Sequence, residues 1–270
     1  MPDNPSSNKK VFVVGALGVV LGFLIGFFLA DNINRSEHEK LRAELASARA
    51  GAAPAQQGDG AGRGQRTSAA GRDSSPTLTE EQIANAVRKA DQTPQDAEMQ
   101  KKVGQGVLLF ASETGNASYL SDGARILKRA HELDPKDYKT TVLAGDAQFL
   151  VERQGGGDAK MIVEARKLYE AALAAQPDDA VVRTKLGLTY FYDSPPDPKR
   201  AVGEYRRALQ ADPRQEMALQ SLAAALMETG ELDEAARGLE QLEKLNPSNT
   251  ELAGLRAQLE QKRNAAKEKK

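Results

Sequence analysis

Histidine, cysteine and paired carboxylates are the side chains most often used for metal binding and catalysis, and this chain contains few of them. It has no cysteine, which excludes a disulfide framework, a thiolate metal site and a thiol nucleophile. Its two histidines, His38 and His131, fall in what we interpret as different segments, too few imidazoles for a histidine metal site or a histidine-based triad. We interpret both as surface residues.

The remaining motifs with catalytic potential have simpler explanations. Glu80 and Glu81 stand at a predicted helix start, where carboxylates stabilise the helix dipole. The glycines of GQG at 104–106 lack the preceding strand and the third glycine of a dinucleotide-binding loop. The sequence also shows no nucleophile elbow, phosphate loop or metal-ligand cluster. We therefore predict no enzyme activity, no catalytic residue, no metal and no cofactor.

The charge pattern gives no reason to expect a nucleic-acid partner. The formal net charge is -1, so no global field attracts phosphate. The stretch GDGAGRGQR contains arginine and glycine but no aromatic residue on which a base could stack. It lies in a segment at 49–76 that is almost free of large apolar side chains, which predicts a flexible, disordered linker.

Residues 11–30 form an uncharged apolar run, VFVVGALGVVLGFLIGFFLA. About 20 helical residues span a hydrocarbon core about 30 Å thick, so the run predicts a transmembrane helix. A cleaved signal peptide is the main alternative. The apolar run is longer than a usual signal-peptide core, and Phe28 and Ala30 do not match the small-x-small cleavage pattern, which favours an uncleaved anchor.

The flanking charges predict the orientation of this anchor. Lys9 and Lys10 precede the apolar run and Asp31 follows it, which favours a cytoplasmic N-terminal tail and an exported C-terminal part. Arg35 and other basic residues shortly after the run weaken this bias. The expected location is the inner (cytoplasmic) membrane of a bacterium, crossed once, with the C-terminal part in the periplasm.

Three glycines at four-residue spacing lie on one face of the predicted anchor. A face without side chains lets a second helix approach closely, so Gly18, Gly22 and Gly26 predict a homodimer seam. Glycine is also simply common in membrane helices, and the sequence leaves both explanations open. Leu41, Leu45 and Ala48 then give less than two heptads of apolar spacing, and we predict a short juxtamembrane helix at 31–48.

Helix signals begin after the linker. Thr79 followed by Gln82 is a capping box for a leading helix at 77–95, and Thr93 with Pro94 predicts the start of the next helix. No segment shows sustained alternation of apolar and polar residues, so we expect an all-α fold.

The rest of the chain contains an internal repeat. Four helical segments run into Pro135, Pro177, Pro213 and Pro247, which are spaced about 34 to 42 residues apart. The third segment carries an L-G-x2-Y pattern, followed by small and aromatic residues before its proline. Its members are Leu186, Gly187, Tyr190, Ala201, Tyr205, Ala208 and Pro213.

This pattern resembles the tetratricopeptide-repeat (TPR) family, whose units are helix-turn-helix pairs. The family's tryptophan is absent, the second unit has about eight extra residues near 155–157, and the first unit matches least. The resemblance implies an α-solenoid of about four units, closed by a helix that a capping box of Ser248 and Glu251 opens. The predicted segments are a tail at 1–10, a transmembrane helix at 11–30, a juxtamembrane helix at 31–48, a linker at 49–76, a leading helix at 77–95, repeats at 96–249, and a capping helix with a basic tail at 250–270.

The resemblance also implies a concave groove, lined by the first helix of each unit, that binds a protein or peptide. The aligned positions are mostly apolar, which suits an amphipathic helix or an extended apolar segment. As an alternative, the chain's own N-terminal helix or C-terminal cap could cover them. The predicted groove residues are Val142, Phe149, Val181, Leu188, Phe191, Met217, Gln220 and Met227.

The family likeness and the anchor together imply a membrane-anchored scaffold for a protein partner, in the assembly of envelope complexes. Two related alternatives keep the fold: a TPR chaperone of cytochrome c biogenesis, and a cytosol-facing TPR import receptor. An enzyme is the third, and it lacks a recognisable site.

Overall fold

The computed structural model describes residues 79–154 and 160–268, and within them the chain forms ten helices and no strand. This confirms the predicted all-α fold for the described part. The helices are α1 (Glu80–Gln92), α2 (Ala97–Thr114), α3 (Ala117–Leu133), α4 (Tyr138–Arg153), α5 (Lys160–Ala175), α6 (Ala180–Phe191), α7 (Pro198–Ala211), α8 (Glu216–Thr229), α9 (Leu232–Leu245) and α10 (Leu252–Lys267).

The chain divides into two units between Arg88 and Lys89, inside α1. The described part of the first unit is the first turns of α1, where Ile83 is buried. Helices α2 to α10 all belong to the second unit.

In the second unit each helix packs mainly against its neighbours in the chain. Helices α2 and α3, α4 and α5, α6 and α7, and α8 and α9 pack as pairs, and each pair also packs against the next. Alternate helices are also in contact. For example, α8 contacts both α6 and the closing helix α10. This is the arrangement of a solenoid, in which the core runs lengthwise between successive helix pairs.

The repeated prolines follow the second helix of each unit. Helix α3 ends at Leu133, two residues before Pro135, and α5, α7 and α9 end at the same distance from their prolines. Proline cannot continue a helix, so the chain turns there. The next helix then begins on a polar cap: the Asp179 carboxylate accepts a hydrogen bond of 2.8 Å from the Val182 backbone N–H.

We predicted three helix N-termini from capping residues, and two of these predictions differ from the structure. The box of Thr79 and Gln82 is confirmed, with reciprocal bonds of 2.9 and 3.3 Å. Thr93 is not an N-cap: its hydroxyl donates to the Lys89 carbonyl, and Asp96 caps α2 instead. A carboxylate is a stronger acceptor for the first N–H groups than a hydroxyl is.

The predicted box before α10 is also wrong. The Ser248 hydroxyl bonds to Asn246, and Glu251 makes no side-chain cap bond. The Asn249 side chain accepts from the Glu251 N–H instead, because the chain forms a turn there before the helix begins. The helix itself is present, and Leu252 and Leu255 are buried on one side of it.

Glycines set how closely the two helices of a unit approach. A Cβ atom added to Gly145 on α4 would lie 2.7 Å from Cε1 of Tyr169 on α5, which is far inside van der Waals contact. Gly187 on α6 faces Tyr205 on α7 in the same way, also too close for a side chain. These couples explain why L-G-x2-Y and a later tyrosine belong to one pattern: the ring fills the space that the missing side chain leaves.

Candidate functional site

The predicted groove lies along α4, α6 and α8, the first helices of the second, third and fourth units. The structure buries most of the predicted residues: Val142 is 1 % exposed, Phe149 0 %, and Leu188, Met217 and Met227 3 % each. The whole stretch of α4 from Thr140 to Val151 is buried. Within the described residues, the large hydrophobic side chain that stands out as exposed is Val163 on α5, away from the predicted set.

Two of the predicted residues remain partly exposed. These are Val181, in the first turn of α6, and Phe191, the last residue of the same helix. A partner that docks on the described surface would therefore meet the ends of α6 before it meets the buried side chains between them. The assignment of the eight residues to a groove stays a prediction.

Gln220 forms a hydrogen bond with the C-terminal end of the solenoid. It is 7 % exposed, and its side-chain amide donates a 3.0 Å hydrogen bond to Asn249 in the turn before α10. Asn249 in turn donates to Glu216 at the start of α8. At this position the interaction with the cap, which the sequence left open as an alternative, accounts for the burial.

An aromatic cluster holds an arginine where α4 and α6 end. The Tyr192 ring meets Phe191 edge-on, with 5.0 Å between ring centroids, and Phe149 at 6.1 Å. The guanidinium of Arg153 lies over the Tyr192 ring, 3.9 Å from its centroid. This cation–π contact joins the last residue of α4 to the residue that follows α6.

Burial controls the electrostatics of this cluster. Burial of Arg153 lowers the pKa of its guanidinium below the usual value, and the nearby Tyr192 and Glu152 partly oppose that change. Burial raises the pKa of Tyr192, against the effect of the adjacent Arg153. Arginine keeps its proton in proteins, and a raised pKa keeps the Tyr192 hydroxyl protonated, so the guanidinium places a positive charge close to aromatic rings.

The sequence pattern missed Arg153 and Tyr192. The predicted groove positions on α4 ended at Phe149, although Arg153 lies four residues later and so on the same helix face. Tyr192 lies one residue beyond the predicted position Phe191, where the helix has ended. The four-residue spacing from Phe149 could have revealed Arg153. The position of Tyr192 could not be predicted in this way, because it depends on where α6 ends.

A buried ion pair connects the first helices of the second and third units. Nζ of Lys185 lies 3.1 Å from Oδ2 of Asp146, and the two side chains are 0 % and 1 % exposed. The Tyr169 hydroxyl donates to Oδ1 of the same carboxylate at 2.8 Å. The charge is thus matched and hydrogen-bonded across three helices, which a buried ion pair requires to be tolerated.

The described residues contain no group of three histidine, cysteine, aspartate or glutamate side chains placed to hold a metal ion. His131 is partly buried rather than fully at the surface, which corrects the expectation from sequence. Its Nδ1 lies 2.9 Å from the Thr141 hydroxyl, and burial lowers its pKa, so the ring is neutral at physiological pH and links α3 to α4.

The predicted membrane and dimer features lie outside the described residues. These are the anchor at 11–30 with Gly18, Gly22 and Gly26, the linker at 49–76, His38, and the extended turn at 155–157. Among the helices that the structure does describe, none combines the length and the apolar character needed to cross a bilayer.

The paired helices, the proline-terminated units and the face formed by alternate first helices define an α-solenoid of helix-turn-helix repeats. Residues 197–259, from the N-cap of α7 into α10, match the family model described as tetratricopeptide repeat. This match supports, over that range, the resemblance inferred from the repeats. No curated protein sequence matches the chain.

Several solved structures are similar to this one. A crystal structure of MamA is 21 % identical and covers 63 % of this chain and 84 % of that one, with a TM-score of 0.49. YrrB, described as a TPR protein with an unusual peptide-binding site, is 19 % identical, with 63 % and 79 % covered and a TM-score of 0.44. TTC0263, a thermophilic TPR protein of Thermus thermophilus, is 17 % identical, with 67 % and 88 % covered and a TM-score of 0.48.

Proposed function

We propose that this chain is a membrane-anchored scaffold that binds a partner protein through the face formed by α4, α6 and α8. The observation that carries the proposal is the aromatic cluster at the ends of α4 and α6. It presents a partly exposed phenylalanine, Phe191, whose ring packs edge-on against a tyrosine, beside a positive charge.

Such a cluster has the composition of a binding hot spot. Aromatic and arginine side chains carry much of the energy in protein interfaces, because they bury large areas and offer directional polar contacts. The rings of Phe191 and Tyr192 are already fixed against each other. A partner would therefore lose little entropy in ordering this surface and would gain apolar contact with it.

The same proposal includes a place for the scaffold in the cell. The apolar run at 11–30 supports anchoring in a bacterial inner membrane, and Lys9 and Lys10 before it support an exported repeat domain. A tethered binding surface in the periplasm would suit the assembly of envelope complexes, and this is the role that we propose. The partner would offer an apolar helix or an extended apolar segment, and the anchor glycines would allow a homodimer.

Phe191→Ala is expected to weaken partner binding by about 1 to 3 kcal/mol while the helical content is unchanged, because a large anchor is lost from a surface position. The partner would first be identified by crosslinking in intact membranes, then titrated against purified full-length protein in detergent. Circular dichroism of the same samples measures the helical content.

Lys199→Ala is the control for this experiment, because Lys199 is exposed in the first turn of α7. Its binding should equal that of the unmodified protein. If Phe191→Ala unfolds the protein and the folded fraction binds normally, Phe191 is a core residue and the proposed surface is wrong.

The orientation in the membrane is tested by reporter fusions. An enzyme that is active only in the periplasm should be active when fused after Lys270, and a reporter that works only in the cytoplasm should be silent there. In a matched fusion to a chain without residues 11–30, the periplasmic enzyme should be inactive and the cytoplasmic reporter active, because the proposed anchor is missing. The opposite pattern in the full chain would reject the exported location and favour a cytosol-facing receptor.

A further inference from the structure

The turn that joins α1 to α2 has the same backbone hydrogen bonds as the turns between the repeats. The Thr93 N–H donates to the carbonyl of Lys89 at 3.1 Å, and the Asp96 N–H donates to the carbonyl of Thr93 at 3.2 Å. The same pair of bonds recurs in the turns that follow α3, α5, α7 and α9. The last turn of α1, from Lys89 to Gln92, belongs to the same unit as α2 to α10. It therefore joins the solenoid in the way that the end of a second helix does.

Side chains of α2 and α3 cap this last turn. The last carbonyl groups of a helix have no partner within the helix, and leaving such a group buried and unpaired is costly. The buried amide of Gln100 donates to the carbonyls of Ala90 at 2.7 Å and Thr93 at 3.0 Å. Arg129 on α3 donates to the amide oxygen of Gln100 at 3.2 Å, which fixes the orientation of the amide. The cap thus depends on α3 as well as on α2.

A charged contact from α3 also holds the last turn of α1. Both terminal nitrogen atoms of Arg125 bond to the carboxylate of Asp91, one to each oxygen, and the bond to Oδ2 is 3.0 Å long. Arg129 lies 3.2 Å from the same carboxylate. The bond from Arg125 is the largest cause of a lowered pKa of Asp91, so the carboxylate is charged at neutral pH. A bidentate arginine with a second arginine beside it makes a stronger contact than an isolated surface ion pair.

Asp91 would be unfavourable at this position without the two arginines. It is the second-last residue of α1, and the C-terminal end of a helix carries partial negative charge, which repels a carboxylate. The arginines belong to a different helix, so the carboxylate destabilises its own helix and stabilises the contact with α3. Removing the charge should therefore have opposite effects on an isolated α1 and on an α1 that α3 holds in place.

We propose that Asp91, Arg125, Arg129 and Gln100 form an ionic latch, which holds the last turn of α1 on the first repeat and releases it when the charge of Asp91 is removed or screened. The latch itself does not depend on any partner. Its use rests on the proposed function, because α1 stands in the chain between the predicted linker and the repeats. Release of α1 would lengthen the flexible connection between the proposed membrane anchor and the binding surface.

Hydrogen exchange of the full-length protein in detergent, followed by mass spectrometry of peptides that cover 89–96, tests the latch. Asp91→Asn keeps the size of the side chain and removes its charge. It should speed exchange at 89–96 about 3- to 10-fold, after correction for the intrinsic rates of the two sequences, and leave peptides from α8 and α9 unchanged. Raising the salt from about 0.1 M to about 1 M should speed exchange at 89–96 in the unmodified protein but not in Asp91→Asn, because screening acts on the same contact.

Glu243→Gln is the matched control at the other end of the solenoid. Glu243 accepts two hydrogen bonds from Arg256, and both side chains are 44 % exposed, close to the 42 % of Asp91 and Arg125. This variant should leave exchange at 89–96 unchanged. Arg125→Gln should reproduce the effect of Asp91→Asn in direction, and the double variant should add little to Asp91→Asn alone.

Two results would overturn the inference. Unchanged or slower exchange at 89–96 in Asp91→Asn would show that the carboxylate does not hold α1 and that the helix dipole dominates its effect. Equal acceleration in all peptides from α2 to α10 would show a general loss of stability rather than a local release. Neither result depends on partner binding or on membrane insertion, so the proposed function is tested separately.

Discussion

Replacing Asp146 with alanine is expected to lower the free energy of unfolding by about 3 to 5 kcal/mol. The change removes the carboxylate 3.1 Å from Lys185 Nζ and the acceptor of the Tyr169 hydroxyl, and both side chains are fully buried. Removing this carboxylate takes away a charge partner of a buried ammonium, which is costly because the ammonium has already been withdrawn from water. Urea unfolding of the full-length protein, followed by circular dichroism, measures the change.

A matched surface pair controls for the loss of a salt bridge as such. Glu228 lies 3.0 Å from Lys262, but both side chains are about half exposed. Glu228→Ala should therefore cost less than about 1 kcal/mol. The double change Asp146→Ala with Lys185→Met should be less damaging than the two single changes added together, because it removes both charges. An additive result would show that the pair is not energetically coupled.

Tyr205→Ala is expected to destabilise the protein by a similar amount, about 3 to 5 kcal/mol, for a different reason. The ring is 0 % exposed and fills the space opposite Gly187, so truncation leaves a cavity between α6 and α7 that neither helix can close. The same unfolding experiment applies. A loss below about 1 kcal/mol would mean that the helices collapse onto the vacated space.

The hydroxyl groups of the two buried tyrosines separate packing from hydrogen bonding. The Tyr205 hydroxyl is buried and makes no hydrogen bond. Burial raises the pKa of Tyr205, and the nearby Ser221 side chain opposes that rise. Tyr205→Phe should consequently leave stability within about 0.5 kcal/mol of the unmodified protein or raise it. Tyr169→Phe should cost about 1.5 to 3 kcal/mol, since the Tyr169 hydroxyl donates to the Asp146 carboxylate.

The helical architecture was predictable because short-range sequence patterns determine it. Helix spacing, the prolines two residues after α3, α5, α7 and α9, and the glycine and tyrosine positions each act within one unit. Caps were harder, since several polar residues compete at each helix start. Asp96 took the position expected for Thr93, and Asn249 that expected for the box of Ser248 and Glu251.

The contacts between units were not predictable, because they depend on distances that the sequence does not give. The pairing of Asp146 with Lys185 joins α4 to α6, and sequence spacing does not determine which buried lysine meets which carboxylate. Arg153 reaches Tyr192 only because α4 and α6 end side by side. Alignment with the repeat pattern identifies the face of each helix, but it does not say how far a side chain such as Met217 is covered.

The close approach of Gly145 to Tyr169 and of Gly187 to Tyr205 has an evolutionary consequence. In each couple the two residues can change only together, since any side chain on the glycine needs a smaller ring opposite, and a smaller ring leaves a hole. The number of residues between the two helices differs between units, and the second unit has about eight extra residues there. This lineage can therefore gain or lose residues in its turns far more readily than it can exchange side chains at its helix crossings.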